Sequence, residues 1–337
     1  MGFIQLTMRE AAFVRQNKDK WVKYESLLQN NRTLSPERLS DLYVDLSDDL
    51  SYSKTFYPKS NTTRYLNTLA SSAHQKIYSS KKESGNRIIT FFTKEFPSEF
   101  HKYQKQLLLS FLIFALFSVI GAFSSASDAA FVRSILGDAY MNMTLENIAD
   151  NDPMAVYKKM SETDMFLGIT INNIKVSLLA FSMGVLAGIG TVYLLMQNAI
   201  MLGSFQYFFY EKGLLWESAR TIWIHGTIEI SVIIVAGCAG LVVGKSILFP
   251  GTYSRLKSFT MGVKSGLKIV VSTIPFFIIA GFLEGFVTRL TSMPDFAAIL
   301  IISTSLLLIL FYYVYYPLSL FKKSKNEPRI NSVQETT

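Results

Sequence analysis

From residue 106 onward the chain repeats apolar runs long enough to cross a bilayer, and this constrains the fold more than any motif does. One crossing takes ~20 predominantly apolar residues as a helix. The ~10-residue alternation of a membrane barrel is absent. Composition agrees, since half of the 337 residues are hydrophobic and 17% are charged, against ~25% in an average soluble domain. The expected fold is an all-α, polytopic membrane helical bundle. It has about six spans, one short or re-entrant, and an N-terminal cytoplasmic helical domain.

The most distinctive run is HGTIEISVIIVAGCAGLVVG, from His225 to Gly244. His225 and Glu229 are four residues apart, so a helix sets them on one face, a turn apart. Insertion scales charge a helix-centre ion roughly 2.5–3.5 kcal/mol, and less near the interface. Such groups persist where they face other helices and find partners. Gly237, Gly240 and Gly244 would let a neighbouring helix approach closely. The other spans are expected to pack around this one.

Charge is informative by segment. Residues 1–105 hold 17 Lys/Arg and 11 Asp/Glu, net +6; residues 126–173 hold 3 and 7, net −4; residues 249–268 hold 4 and none, net +4. That alternation is a topology signal, with basic stretches inside. It does not resemble the concentrated basic face of a nucleic-acid-binding module. The start, MGFIQLTMREAAFVRQ, lacks the basic-then-apolar order of a signal peptide, so both termini are expected in the cytoplasm. The lone cysteine, Cys238, lies in an apolar run and reads as core filler.

In chain order, residues 1–85 read as a cytoplasmic helical domain. Helical spacing recurs in Phe13, Val14, Trp21, Tyr24, Leu27 and Leu28. Ser35-Pro36-Glu37 suits a helix start, Pro58 a stop, and Lys81–Gly85 a break. Tyr43, Asp45 and Asp48-Asp49 form a polar cluster that could meet a partner or simply face solvent. Residues 86–105 read as an amphipathic interfacial elbow whose phenylalanines enter acyl chains. Residues 106–320 form the membrane domain, with 128–173 extracytoplasmic and carrying two short amphipathic helices. Expected spans are 107–126, 176–196, the doubtful 197–210, the His225 helix, 269–286 with Pro275 as a kink, and 297–317. Parity favours a crossing by 197–210, because the basic stretch 249–268 and the lysine tail 321–337 then both lie inside.

The candidate polar site comprises His225, Glu229, Asn172, Asn173, Asn198 and Glu284. The pair His225–Glu229 could be a structural clamp, a proton relay, or an ion or headgroup site. The asparagines could line a cavity, or cap and bridge helices. Glu284 could pair with Arg289 or face the His225 cluster. Candidate helix-packing glycines are Gly184, Gly188, Gly203, Gly226, Gly237, Gly240, Gly244, Gly281 and Gly285. Four Gly-x-x-x-Gly pairs occur, at 184/188, 240/244, 262/266 and 281/285, and one could serve a homo-oligomer. No metal is expected: there are three histidines, His74 and His101 fall in the N-terminal part, and HExxH spacing is absent. No cofactor is expected. With no phosphate loop or nucleophile elbow, an enzyme is not expected either.

The runs NNIKVSLLAFSMGVLAGIGTVYLL (172–195), QNAIMLG (197–203) and HGTIEISVIIVAGCAGLVVG (225–244) together resemble the stage II sporulation protein M family of bacterial membrane proteins. The departure is Ala199, where the family usually has Gly after the Asn. The phrases REAAFVRQNKDKWVKYESLL, LSDLYVDLSDDLSYSKTFYP and RYLNTLASSAHQKIY resemble the cytoplasmic region of its longer, non-sporulation members. The resemblance implies a multi-pass inner-membrane protein working with partners in cell-envelope (peptidoglycan) remodelling, or with a MoxR-type AAA+ ATPase. The expected function is therefore a membrane scaffold that contacts lipids and recruits membrane or envelope proteins, with no nucleic acid. The alternative is a transporter or lipid-handling protein built on the His225–Glu229 site. A sealed bundle would favour the scaffold, and a cavity reaching His225 and Glu229 would favour the alternative.

Overall fold

The computed structural model describes residues 9–29, 36–78, 87–158, 160–290 and 293–326. The chain divides into two compact units, Met1–Arg87 and Ile88–Thr337. No strand occurs among the described residues.

The first unit contains α1 (Glu10–Gln29), α2 (Pro36–Phe56) and α3 (Asn61–Tyr78). Residues at helical spacing bury one stripe of each helix: Phe13, Trp21 and Leu28 meet Leu42, Leu46, Leu66 and Leu69. Polar groups then fasten the rim. Trp21 Nε1 donates to Asp49 at 2.7 Å, and Lys20 pairs with the same carboxylate at 2.6 Å. Tyr24 donates to Asp45 at 2.7 Å, which with burial pushes its hydroxyl up to about 12. Asp45 and Asp49 thus tie α1 to α2. The expected cap at Ser35 and the break at Lys81–Gly85 lie outside the described residues.

The second unit opens at Ile88 within α4 (Arg87–Thr90), followed by a π turn at Phe91–Glu95, α5 (Phe96–Phe100) and a 3-10 turn at His101–Tyr103. Of the phenylalanines expected in lipid, Phe96 and Phe100 pack on protein, while Phe91 and Phe92 stay partly exposed. Pro97 has no N–H to complete the preceding turn, and the helix widens just ahead of it. Phe96 and Phe100, each 1% exposed, pack edge-to-face against Tyr313. Glu99 pairs with Lys268 at 2.7 Å. Ile88 and Ile89 are the strongly exposed apolar residues of the segment.

α6 (Gln104–Ser127) is the first long apolar helix, followed by α7 (Ala129–Leu136) and α8 (Asp138–Ala149). These two short helices, with Met154 beyond them, place Val132 and Met141 over Phe208, Phe209 and Ile222. α9 (Glu162–Ser182) starts fourteen residues before the expected Val176, because Ser161 caps it and accepts from the Asp164 N–H.

The expected span 176–196 is not one helix. The chain reverses at Ala187 (φ 53°) and Gly188 (φ 85°), and α10 (Ile189–Glu211) runs back from there. Left-handed backbone is free of steric cost only for glycine, which fixes the role of Gly188. Thr191 Oγ1 closes the hairpin on the Ala180 carbonyl at 2.7 Å. The doubtful segment 197–210 is consequently the second half of a 23-residue helix.

α11 (Leu215–Leu248) follows, then α12 (Arg255–Phe282) with a π turn at Leu283–Val287. The chain ends in α13 (Asp295–Leu310), a π turn at Phe311–Tyr315 and α14 (Tyr316–Asn326). Among the described residues, five helical stretches are long and apolar enough to cross a membrane: Arg87–Ser127, Glu162–Val185, Leu215–Leu248, Arg255–Val287 and Asp295–Lys322. α10 matches them in length, but Gln197, Asn198 and Gln206 make it less apolar. The chain is a multi-pass membrane bundle, and α11, the most enclosed of the five, is its centre.

Contacts set the directions. Ser110 of α6 donates to the Ile234 carbonyl, and Tyr103 lies by Cys238, so α6 and α11 run antiparallel. Thr191 and Leu195 of α10 meet Gly240 and Gly237, again antiparallel to α11. Along α12, Gly262 meets Ser246 and Gly266 meets Ala239, while Gly281 and Gly285 meet Thr170 and Phe166 of α9. Gly184 lies on the backbone of Gly240, Gly244 on that of Gly188, and Gly203 on Ser118. Gly226 differs: a Cβ there would meet nothing nearer than 3.7 Å.

Candidate functional site

The start of α11 at Leu215 places His225 ten residues inside the helix, about 15 Å along its axis at ~1.5 Å per residue. His225 is 4% exposed. Its Nδ1 is 2.9 Å from Thr288 Oγ1, and its Nε2 is 3.7 Å from Glu284 Oε2. The second distance is longer than a hydrogen bond. Glu284 and Thr288 come together on the π turn Leu283–Val287, where Thr288 N–H bonds the Leu283 carbonyl five residues back at 2.8 Å. Such wide turns gather at functional sites. One turn along α11, Glu229 completes the group. One ligand atom each from His225, Glu229 and Glu284 lies within 4.8 Å of the others.

The sequence allowed Glu284 two partners, and the structure gives it His225. Arg289 pairs instead with Glu162 at 3.4 Å and donates to the Met160 carbonyl. His225 and Glu229 share a face of α11 as their spacing requires, but the close neighbours of the imidazole are Glu284 and Thr288 rather than Glu229.

The asparagines separate. Asn173, 5% exposed, stands beside Glu229, and its amide nitrogen makes no hydrogen bond of good geometry. Asn172 is exposed on the other side of α9. Asn198 donates to the Leu194 carbonyl at 2.8 Å and lines the cavity described next. None caps a helix, because each falls within α9 or α10.

A cavity of about 340 Å³ opens against this cluster. α11 supplies His225, Glu229 and Ile233 to its wall, α10 supplies Asn198, Met201 and Leu202, and Phe114 comes from α6. Ile135, Leu136 and Tyr140 of α7 and α8 cover it, with Tyr157 from the turn that follows. Gly226 lines it too, which explains why nothing crowds that glycine. Met201 is 48% exposed, so the wall reaches the bundle surface there. Tyr157 meets the His225 ring edge-on, centroids 5.8 Å apart. Burial and the nearby carboxylates hold its hydroxyl well above the ordinary tyrosine range, so it stays a donor. Neither Tyr157 nor Tyr140 was named as a site residue from the sequence, which gave only two short amphipathic helices for their region. Thr288 had a faint signal, sitting four residues after Glu284 on the same face.

The family model of Stage II sporulation protein M matches residues 110–289, more than half of the chain. The chain belongs to the Stage II sporulation protein M family. The matched region of this family member includes α6's apolar half, the α9–α10 hairpin, α11, and the π turn bearing Glu284 and Thr288. A second model, Domain of unknown function (DUF8413), matches residues 11–79, which hold α1 to α3. No curated protein and no solved structure matches the chain.

Proposed function

We propose that the membrane unit handles a small amphiphile, as a transporter or lipid-handling protein, in the cavity walled by His225 and Glu229. The observation that carries this is the lining: a mostly apolar chamber whose polar end is one imidazole, two carboxylates nearby, and tyrosine hydroxyls. Its volume, about 340 Å³, falls within the ~300–1,000 Å³ of small-molecule sites. An apolar tail would fill the space between Phe114, Ile135 and Leu202. A cationic or hydroxyl head would meet the acceptors at Glu229. A long-chain amine carrying a diazirine tests the reading. Photolysis should label Met201, Phe205 or Ile135 in the purified full chain, and Leu202→Trp, which fills the chamber, should cut that labelling at least about tenfold. Equal labelling of both proteins would sink the idea.

A second reading, a scaffold in the bacterial inner membrane that recruits a MoxR-type ATPase or an envelope protein, is supported by the first unit. It has its own core, and a groove of about 410 Å³ between α1 and α3 is lined by Val14, Trp21, Val22, Glu25 and Tyr65. The ATPase or an envelope protein should co-purify in mild detergent and be lost with Val22→Asp. No such protein with the unaltered chain would remove this reading.

A further inference from the structure

We propose that His225, Glu229 and Glu284 bind a divalent transition-metal cation of the zinc class. This runs against the expectation from the sequence, where the histidine count and spacing argued for no metal. The third ligand arrives from α12, which no local spacing could announce.

Three observations carry the assignment. The first is charge. Two carboxylates share a buried site, and among the described residues neither lies within ion-pair distance of a lysine or arginine. A 2+ ion cancels both charges at once, where one histidine cannot. The second is geometry. Zinc holds His nitrogen and carboxylate oxygen at ~2.0–2.2 Å, which puts two tetrahedral donors about 3.4 Å apart. His225 Nε2 and Glu284 Oε2 are 3.7 Å apart, and the whole set lies within 4.8 Å. Modest side-chain adjustment closes that gap. Thr288 occupies Nδ1 at 2.9 Å, so the imidazole presents Nε2 to the carboxylates, as an outer-shell partner does at metal sites. The third is a neighbour. The buried Asn173 amide stands against Glu229, in a contact with its carboxylate too poorly aligned for a full hydrogen bond. It is placed to bond the second oxygen of a Glu229 carboxylate drawn onto a cation.

The donor set selects the metal class. An imidazole disfavours magnesium and calcium, which prefer all-oxygen shells. Three protein ligands beside a cavity leave a further position for water or for the hydroxyl head of an amphiphile. Only this last role rests on the amphiphile reading, since binding itself stands on the donors.

The test uses the purified full chain in detergent, stripped with a chelator and then dialysed against zinc chloride. Expected is about one zinc per chain, with order Zn²⁺ above Mn²⁺ and no retention of Mg²⁺. Glu229→Gln and Glu284→Gln should each weaken zinc at least about tenfold, and Thr288→Val roughly 10–100-fold. Co²⁺ in the unaltered chain gives a readout that does not depend on variant folding: its spectrum should show d–d bands without a sulfur charge-transfer band. Leu202→Trp, which blocks the cavity, should keep its zinc, so failure here and failure of the amphiphile reading are told apart. No bound zinc, zinc held equally by both Gln variants, equal retention of Mg²⁺, or a sulfur-ligated cobalt spectrum would each overturn the proposal.

Discussion

Gly240 and Gly226 stand on the same helix and answer to different demands. A Cβ on Gly240 would run into Thr191 Oγ1 and the Ala180 carbonyl oxygen. Those two atoms are already bonded to each other at 2.7 Å across the α9–α10 hairpin. Backbone cannot give way as a flexible side chain can, so Gly240→Ala must push the hairpin off α11. Overpacking of this kind typically costs 1–3 kcal/mol, so a loss of roughly that size is expected. Gly226→Ala would place its Cβ in ordinary contact, 3.7 Å from Ile222. It should leave the melting temperature in detergent unchanged or slightly raised, while Gly240→Ala lowers it by several degrees. Equal melting temperatures for the two variants would show that the hairpin is not seated on α11 as described. The sequence marked both glycines for packing, and only the second helix tells them apart.

At the scale of elements, the apolar runs announced most helices but misplaced two boundaries, for different reasons. Hydropathy does not change where the chain turns through apolar residues. Val176 to Met196 reads as one span, yet it holds the end of α9, the reversal at Ala187–Gly188 and the first third of α10. Ala187 in particular gives no warning, since alanine rarely adopts a positive φ. At the other end, the acidic stretch that includes Glu162 and Asp164 put the start of the span at Val176, but early acids favour a helix N-terminus and cost little near the bundle's edge. The segment before α6 has an aromatic spacing that suits lipid and protein equally. Part of it meets protein: Tyr312 donates to the Phe92 carbonyl at 3.0 Å in the π turn, as Tyr316 does to Thr93 at 2.7 Å. The candidate site was half legible. His225 and Glu229 follow from spacing within one helix, whereas Glu284 and Thr288 come from a helix 55 or more residues away, and Tyr157 from the turn that follows α8.

For the membrane unit as a whole, the contact directions make a topology that charge can be set against. Since α6 and α10 both run antiparallel to α11, they run parallel to each other. α9 and α11 run antiparallel to α12, with Gly285 near Glu162 at one end and Gly262 near Ser246 at the other. One end of the bundle therefore gathers residues 127–158, 160–162, 211–215, 288–290 and 293–295. The opposite end gathers Gln104, Gly188 and the Leu248–Arg255 connection. The first end carries Asp128, Asp138, Glu146, Asp150 and Asp152, and the second carries Lys105, Lys245, Arg255 and Lys257. Six crossings, with α10 counted, put every basic connection on one side, which the positive-inside rule assigns to the cytoplasm. Five crossings, with α10 left re-entrant, would place the Leu248–Arg255 connection and α6's start on opposite sides. Single cysteines at Asp150 and Thr252, in a chain whose buried Cys238 is changed to alanine, decide between them. A membrane-impermeant maleimide should label position 150 in intact cells and position 252 only after permeabilisation. Labelling of position 252 from outside would break the six-crossing arrangement.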